Sequence, residues 1–442
     1  MPKVMELKQR PARRRPGDAQ PAHRSPNQNA LSQQLTDVAQ RSDFYHHLLG
    51  LSQRTNLLTS DDLTSLPFTT RAELQIDQET HPPFGSYLAA PNDHIARVHK
   101  TSGSSGRALL IALSRSDIEH SVAVGAECFR AAGAKPGDLI VHCLNYCMWS
   151  GGLTDHEALE RSGAGVIPYG VGKSSELIEM IRTIHPTGIH CTPSYLAMLE
   201  ARLRSDFNMA PRDLGLRMGL FGGESGVQDP AFRGRIEQTW GLRAMDANYG
   251  MSEVLSMFGA ECEARDGLHF FAGNVLHAEL KSLTGDDTSP LEKGASGELV
   301  LTHLHRQCQP LIRYRTSDII EIIETDSCSC GRSSPRFRVV GRVDDMMVIR
   351  GINVFPARIA AVINRFPDRL TGEYRVQVCR NAPIRECRVL VEQIAPNSHE
   401  TLASELEVAF EKELTVRPIV QVIPAGSLQR SSGKTCRVER IL

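Results

Sequence analysis

Between about residues 95 and 220, short apolar runs alternate with segments of helical spacing. Residues 109–113 (Leu-Leu-Ile-Ala-Leu), 139–144 and 165–168 are brief and nearly all apolar, the pattern of strands covered on both faces. Residues 174–184 place apolar positions at helical spacing, and residues 188–191 read as another strand. Strand and helix in alternation predict a sheet with helices on both sides. From about residue 270 to 337 the pattern shortens to strands alone, such as residues 297–302. After Pro356 a helix, two or three strands and a second helix over residues 404–414 predict a small α+β domain. Upstream, helical spacing begins at Leu31, and Asp61-Asp62-Leu63 before Leu66-Pro67-Phe68 reads as a helix start followed by a loop. Residues 1–30 are rich in Arg, Pro, Gln and Asn, which predicts a disordered basic tail; Arg13-Arg14-Arg15-Pro16 leaves a docking arm as the alternative.

A length of 442 residues predicts two to three domains. With 41% hydrophobic and 23% charged residues and a net charge of −1, the chain reads as an ordinary globular protein. That balance argues against a nucleic-acid or anionic-membrane partner. No run of 18 apolar residues is long enough to span a bilayer, and the N-terminus lacks the apolar core of a secretory signal. Eleven cysteines then point to thiols or metal ligands in a reducing compartment, and the expected location is the cytoplasm.

Five segments carry candidate chemistry. Thr101-Ser102-Gly103-Ser104-Ser105-Gly106-Arg107 can aim backbone N–H groups and hydroxyls at phosphate oxygens, although a Ser/Gly linker has the same composition. It lacks the Gly-Lys-Ser/Thr ending of a P-loop, and strands flank it on both sides. Asn248-Tyr249-Gly250-Met251-Ser252-Glu253 sets a carboxylate beside a hydroxyl and a turn, which suits Mg²⁺ on phosphates; an ordinary helix start is the plainer reading. In Pro310-Leu311-Ile312-Arg313-Tyr314-Arg315-Thr316-Ser317-Asp318 the arginines alternate as on one strand face, and Asp318 can accept from ribose hydroxyls. The bland alternative is a solvated edge strand. Arg430-Ser431-Ser432-Gly433-Lys434 puts a mobile cation after a glycine turn. Residues 341–356 combine Arg342, Asp344 and Asp345 with a short apolar strand, the turn at Arg350-Gly351 and an exit at Pro356, the pattern of a joint between domains.

In this order and spacing the segments resemble the adenylate-forming superfamily, most closely its phenylacetate–coenzyme A ligase branch. The likeness runs from about residue 63 to 438, and residues 63–70 and Arg313-Tyr314-Arg315 are similar to that branch in particular. The resemblance implies an α/β protein: a large multi-subdomain N-terminal domain (31–341) with α/β layers and a small β region, a hinge (342–345) at Asp344, and a small mobile α+β lid (346–442). It implies ATP-dependent activation of a carboxylic acid as acyl-AMP, then transfer to coenzyme A. By the same resemblance, Thr101, Ser102, Gly103, Ser104, Ser105 and Gly106 hold phosphates, Glu253 binds Mg²⁺, and Asp318 and Arg342 hold the ribose. Gly223 and Glu224 lie along the adenine, with Asn248, Tyr249, Gly250 and Ser252 completing the nucleotide site. Lys434 bridges the carboxylate and α-phosphate, and the turn at residues 350–353 enters for thioester formation.

Some positions depart from that pattern. Serines stand at 104, 105 and 252 and Arg107 stands where threonines and lysine are usual, so hydroxyl and charge are kept. The acid-pocket run Tyr-Gly-Leu-Phe-Thr-Gly-Gly becomes Tyr146-Cys147-Met148-Trp149-Ser150-Gly151-Gly152, which argues against phenylacetate itself. Tyr146, Trp149, Gly151 and Gly152 are the pocket candidates, and the two aromatics suggest a flat aryl or arylacetic acid.

Cys262, His269, Cys328 and Cys330 supply three thiols and one imidazole, a donor set for tetrahedral Zn²⁺ with no open position. Unrelated thiols and a surface histidine are the alternative; some members of the resembled branch carry a structural zinc from similar positions, which favours the site. Cys128, Cys143 and Cys191 lie in apolar runs and read as core. The leading functional reading is an acid–coenzyme A ligase working on a small-molecule acid, as the resemblance suggests in a homodimer. Two rivals stand beside it: an adenylating enzyme that passes the acyl group to an amine, a hydroxyl or a carrier-protein thiol, and a non-catalytic nucleotide-binding protein.

Overall fold

A computed structural model of the chain describes residues 26–50, 58–101, 108–224, 226–350, 352–379, 384, 386–394, 399–428 and 437–441. It opens with helices α1 (Pro26–Arg41), α2 (Asp43–Leu48) and α3 (Arg71–Thr80). The expected tail therefore ends earlier than residue 30, since α1 takes up Pro26 to Ala30; Leu31, Leu35 and Val38 on its buried face explain why. Residues 1–25, with the arginine run, lie outside the described residues. The helix start expected at Asp61-Asp62-Leu63 is a 3₁₀ turn (Ser60–Ser65), capped by Asp62 on the Thr59 N–H at 2.8 Å.

A hairpin of β1 (Arg97–Lys100) and β2 (Leu110–Leu113) leads into α4 (Arg115–Ala131). Then follow β3 (Leu139–His142), α5 (Ser150–Ser162), β4 (Gly165–Pro168), α6 (Ser174–Ile184), β5 (Gly188–Cys191), α7 (Pro193–Phe207), β6 (Met218–Gly222), α8 (Pro230–Trp240) and β7 (Arg243–Met251). The strands β4, β3, β5, β6 and β7 pair parallel in that order. Their successive residues feed two different cores: Ile140, Leu220 and Met245 point to one face, Val141, Phe221 and Ala244 to the other. Side chains alternate across a strand, so a strand covered by helices on both faces must be apolar at every position. That is why these runs read as continuous in sequence.

The short-strand region is not a separate sheet. Strands β8 (Leu255–Glu261), β9 (Leu268–Phe270), β10 (Leu276–Lys281), β11 (Thr288–Ser289), β12 (Ser296–His303), β13 (Tyr314–Glu324) and β14 (Arg336–Arg342) extend the parallel half into one 12-stranded sheet. Its order is β11-β10-β12-β13-β14-β9-β8-β7-β6-β5-β3-β4.

Beyond β14 come the hairpin β15 (Met347–Ile349) and β16 (Ile352–Val354), then α9 (Pro356–Ile363), β17 (Leu370–Cys379), β18 (Cys387–Gln393), α10 (His399–Leu414), β19 (Ile419–Pro424) and β20 (Val438–Ile441). The last four strands form a separate sheet, β19-β18-β17-β20. Its core, from Met347 to Val420, is a separate cluster from those of the large sheet. No helix among the described residues is long and apolar enough to cross a membrane.

Candidate active site

The candidate residues gather where the large sheet changes sense. Strand β7 pairs parallel with β6 and antiparallel with β8. The carboxyl ends of the parallel strands β6 and β7 open here, and α/β proteins bind ligands in the crevice outside the carboxyl ends of their strands. Asn248, Tyr249 and Gly250 lie at that end of β7, and the turn into β8 carries Ser252 and Glu253. Gly250 is required there, because a Cβ would stand 2.2 Å from the Ser256 carbonyl oxygen. The turn closes through the Val254 N–H on the Met251 carbonyl at 3.0 Å, so the helix start that the pattern allowed here is instead a hairpin.

Glu253 is buried and held from two sides. Tyr314 O–H donates to its Oε1 at 2.8 Å, and Arg71 Nη1 donates to the same oxygen at 2.7 Å. Neither contact uses Oε2, and among the described residues no donor reaches that oxygen. Arg71 Nη2 also donates to Thr101 Oγ1 at 2.7 Å. One guanidinium thus links Glu253 to the first residue of the serine–glycine loop; Ser102, Gly103, Ser104, Ser105 and Gly106 lie outside the described residues, as does Arg107. Burial first, and then the charge of Glu253, pushes the Tyr314 phenol well above its usual range, so it stays a donor.

Arg71 was not singled out from sequence. Its placement follows from residues that were. Thr69 N–H donates to the Arg313 carbonyl at 3.0 Å and Arg315 N–H to the Thr69 carbonyl at 2.9 Å, so residues 69 and 314 lie side by side. Thr70 then caps α3 in a reciprocal box with Glu73, and Arg71 leaves from the first turn beside Tyr314. The readable signal was Thr70-x-x-Glu73 directly after the branch-like residues 63–70. Arg313 is not a strand partner of Arg315 on a solvated face. It sits at φ +47° before β13, buried, with both ends of its guanidinium on Glu279 and Nη1 on the Thr64 and Leu66 carbonyls. It staples residues 64–68 to the sheet.

From β7 itself, Tyr249 O–H donates to Asp318 Oδ2 at 2.8 Å and Arg342 Nη1 donates to Oδ1 at 2.6 Å. Asp318 on β13 and Arg342 on β14 are register partners. Arg342 also grips Asp344 with Nε and Nη2 at 2.9 and 3.0 Å. The end of the large sheet is thereby tied to the segment that enters β15. Gly223, at φ +76°, follows β6, and Glu224 accepts from Ser194 N–H and O–H at 3.2 and 2.8 Å at the start of α7. Arg350, at φ +51°, donates its N–H to the Ile384 carbonyl at 3.0 Å; Gly351 and Lys434 lie outside the described residues.

The acid-pocket candidates flank the same crevice. Ser150 and Ser252 hydroxyls are 2.8 Å apart, which sets the first turn of α5 against the β7–β8 turn. Trp149 is the N-cap of α5 and is 38% exposed. Gly152 packs on backbone: a Cβ there would lie 2.2 Å from the Asn145 carbonyl oxygen. Tyr146 O–H donates to His156 Nδ1 at 2.9 Å, since His156 Nε2–H is turned to Glu160 at 3.2 Å. The Met148 carbonyl accepts from Lys100 N–H at 2.8 Å, which brings this loop beside Thr101.

Away from the crevice, Cys262, His269, Cys328 and Cys330 bring four donor atoms within 4.8 Å of one another. Cys262 and Cys328 Sγ are 3.6 Å apart, too far for a disulfide, and Cys330 Sγ is 3.6 Å from His269 Nε2. A tetrahedral zinc with Zn–S of about 2.3 Å has an S···S edge of about 3.8 Å. His269 Nδ1 lies 2.9 Å from Ser334 Oγ, a partner that fixes the ring and turns Nε2 toward the thiols. The donor set and its spacing fit that ion. Cys128 and Cys191 are fully buried core thiols.

Residues 36–304 match the family described as AMP-binding enzyme, and residues 351–440 match the AMP-binding enzyme C-terminal domain. The chain is 30% identical to the phenylacetate-coenzyme A ligase of Thermus thermophilus, over 94% of this chain and 95% of that protein. It is 33% identical to the phenylacetate-coenzyme A ligase of Escherichia coli (strain K12), over 85% of each. Among solved structures, 2-hydroxyisobutyryl-CoA ligase with 2-HIB-AMP in the postadenylation state superposes with a TM-score of 0.83 at 28% identity, covering 94% of this chain and 89% of that one. The same ligase with 2-HIB-AMP and CoA in the thioesterification state gives 0.67 at 28% identity, over 94% and 88%.

Proposed function

The chain belongs to the AMP-binding enzyme family, and on that premise we propose an ATP-dependent acid–coenzyme A ligase: a carboxylate attacks the α-phosphate of ATP to give an acyl adenylate and pyrophosphate, and the thiol of coenzyme A then displaces AMP. The observation that carries the reading is the convergence on β7. Glu253, Thr101, Asp318 and Arg342 come from distant parts of the sequence and meet in two hydrogen-bond networks, one at the turn that leaves β7 and one on Tyr249 of β7 itself. The relatives in this family are acid–coenzyme A ligases, which supports the reaction class.

The physical task of the first step is to bring one anion onto another. Fixed N–H donors and cations must offset that repulsion where it arises. Thr101 and residues 102–106 would hold phosphate oxygens, and Glu253 would hold Mg²⁺ through Oε2. That ion would supply positive charge to the phosphates. Arg71 spans both elements and would keep them in register. Asp318 accepts two donors already and would order the ribose hydroxyls beside Tyr249, while Arg342 holds Asp318. Gly223 and Glu224 would run along the adenine. Tyr146, Trp149, Gly151 and Gly152 would receive the body of the acid, and Lys434 would bridge the reacting carboxylate and α-phosphate.

Asp344 is proposed as the hinge. The better match to the postadenylation structure than to the thioesterification structure of one and the same ligase supports a lid placed for the first step. The second step would need rotation about Asp344, which breaks its bidentate pair with Arg342. The cysteine–histidine cluster is proposed as a structural Zn²⁺ site, because four protein donors leave no open position.

The reading is tested by pyrophosphate release over benzoates, arylacetates, cinnamates and short branched acids, with AMP release followed on adding coenzyme A. Acid-dependent pyrophosphate release together with a coenzyme A thioester by mass is the expected result. Release of neither product with any acid would overturn it.

A further inference from the structure

One polar cluster beside the crevice has a different use from these roles, and it takes Asn248 from the nucleotide site, where the resemblance puts it, to the acyl side. Asp155 lies one helical turn beyond Gly151 on α5 and is fully buried. Its Oδ2 accepts from Asn248 Nδ2 at 2.5 Å and its Oδ1 from Ser256 O–H at 2.5 Å. Both donors are neutral, and Asp155 has no ion pair among the described residues. A carboxyl buried without a cation is costly, and here burial pushes it up to about 7. Replacing buried charged groups by apolar side chains of similar size is often neutral or stabilising, so packing alone does not call for this cluster. The cluster therefore points to recognition.

The geometry says what is recognised. A Cβ at Gly151 would lie 3.3 Å from both Asp155 Oδ2 and Leu144 Cδ1, so a side chain there would crowd the carboxyl, and the glycine keeps the first turn of α5 close over it. Asn248 is the register partner of Gly222 on β6, where a Cβ would stand 2.4 Å from the Asn248 Cβ. The amide thus sits between two positions kept free of side chains. Because Asp155 Oδ2 takes the Asn248 amide nitrogen, the amide oxygen is turned elsewhere, and among the described residues no donor reaches it. An acid whose body is plain hydrocarbon would strip that oxygen of water and offer nothing in return. A hydroxyl or amino group would donate to it.

We propose that Asp155, Asn248 and Ser256 form a polar floor to the acyl pocket, and that the activated acid carries a hydrogen-bond-donating hydroxyl or amino group on its body. This rests on the adenylation reading above and names the class of acid within it. Asp155 is a positioning residue that orients the amide; Asn248 is the group that meets the substrate.

The test compares matched acids on the full-length chain with MgATP, read as pyrophosphate release. The pairs are phenylacetate against its hydroxy and amino derivatives, and 2-methylpropanoate against its 2-hydroxy and 2-amino derivatives. At least one donor-bearing acid is expected to exceed its plain partner by about tenfold or more in kcat/KM, because a site built to bond a donor rejects the analogue that lacks it. Hydroxy and amino arms tell the two sources of the donor apart. Asn248→Leu is expected to abolish the preference mainly by lowering kcat/KM for the donor-bearing acid, whereas Asp155→Asn, which can still accept from Asn248, keeps it. Plain acids turned over as well as their partners would overturn the inference while leaving acid activation intact, and that comparison needs only the wild-type chain. A preference that survives in Asn248→Leu would overturn it too. No pyrophosphate release with any acid of the panel would overturn the ligase reading itself.

Discussion

The two sides of β7 treat their carboxylates differently. On the nucleotide side the carboxylates around the phosphates and ribose have a guanidinium: Glu253 has Arg71, and Asp318 and Asp344 share Arg342, while Glu224 at the adenine is held by Ser194. On the acyl side Asp155 has an amide and a hydroxyl. A paired charge can be handed over, because an incoming phosphate or cation offers the same charge that it displaces. A carboxyl held by neutral donors has no such exchange; its neighbours can only choose among ligands by hydrogen bonding and shape. The first arrangement suits chemistry common to every acid, and the second suits telling acids apart.

If this division holds, the largest effects come from charge lost on the nucleotide side. Glu253→Gln keeps the shape and removes the charge, and Lys434→Ala removes the cation proposed to bridge the reacting groups. Each is expected to slow pyrophosphate release by about a hundredfold or more, the scale of losing one electrostatic element of a phosphoryl-transfer site. The ranking of acids should not move. A changed ranking in Glu253→Gln would break the comparison, because the two sides would then be one unit.

Arg71 gives the next largest effect. Arg71→Ala leaves Glu253 with one donor and unties Thr101. A rise of about tenfold or more in KM for ATP, with a higher Mg²⁺ concentration needed for half-maximal rate, is expected from losing a partly buried charged hydrogen-bond partner. Arg71→Lys should recover only part of it, since an ammonium does not reproduce the fork that reaches both partners. Unchanged Mg²⁺ dependence in Arg71→Ala would confine this residue to fold stability.

How far these features could be read from the chain depends on how local their causes are. Strands β4 and β5 and helix α6 begin and end where the apolar pattern places them, because short apolar runs and helical spacing are written into consecutive residues; β5 is buried throughout, whereas β4 is the half-exposed edge of the sheet. The four cysteine and histidine donors were readable because few other roles call for those residue types at such positions. Arg71 and Asp155 were not. Each looks like an ordinary helix residue, and its meaning comes from partners 182 and 93 positions away. The single sheet of 12 strands was likewise hidden, since pairing of β7 with β8 depends on a turn, at Gly250, that the pattern allowed as a helix start. Arg313 misled in the opposite direction: spacing suggests an exposed strand face, while its positive φ and Glu279 turn it inward.

The metal cluster sharpens the comparison from a distance. Cys262 follows directly on β8, the strand that carries Ser256 at its other end. Replacing Cys330 with Ser, or stripping metal with a chelator, should lower the melting temperature by several degrees, because metal held by folded-state donors adds directly to folding free energy. Elemental analysis of the untreated protein should return about one zinc per chain if the four donors act together. The preference among matched acids should persist, since Ser256 is held by Asp155 and not by the cluster. A stability that ignores both chelator and Cys330→Ser would remove the cluster from the structural role proposed for it.

The smallest expected effect concerns pH. Asp155 is raised from 3.8 to about 7, by burial against the two hydrogen bonds that work the other way. In the unfolded chain its carboxyl ionises near the usual aspartate value, so between about pH 4 and 7 the folded state holds a proton that the unfolded state has lost. Stability contributed by this group is therefore fully present below about pH 4 and lost as pH rises through about 7. Asp246 behaves in the same sense, also raised to about 7 by burial and then by Glu261, so the slope of the wild-type curve alone cannot assign the effect. The difference between Asp155→Asn and wild type can, because only one of the two carboxyls has been removed. That difference should favour the variant more at pH 8 than at pH 5, by about 1–3 °C in melting temperature. A difference that is equal at the two pH values would mean that Asp155 is charge-compensated after all, and the contrast between the two sides of β7 would be lost.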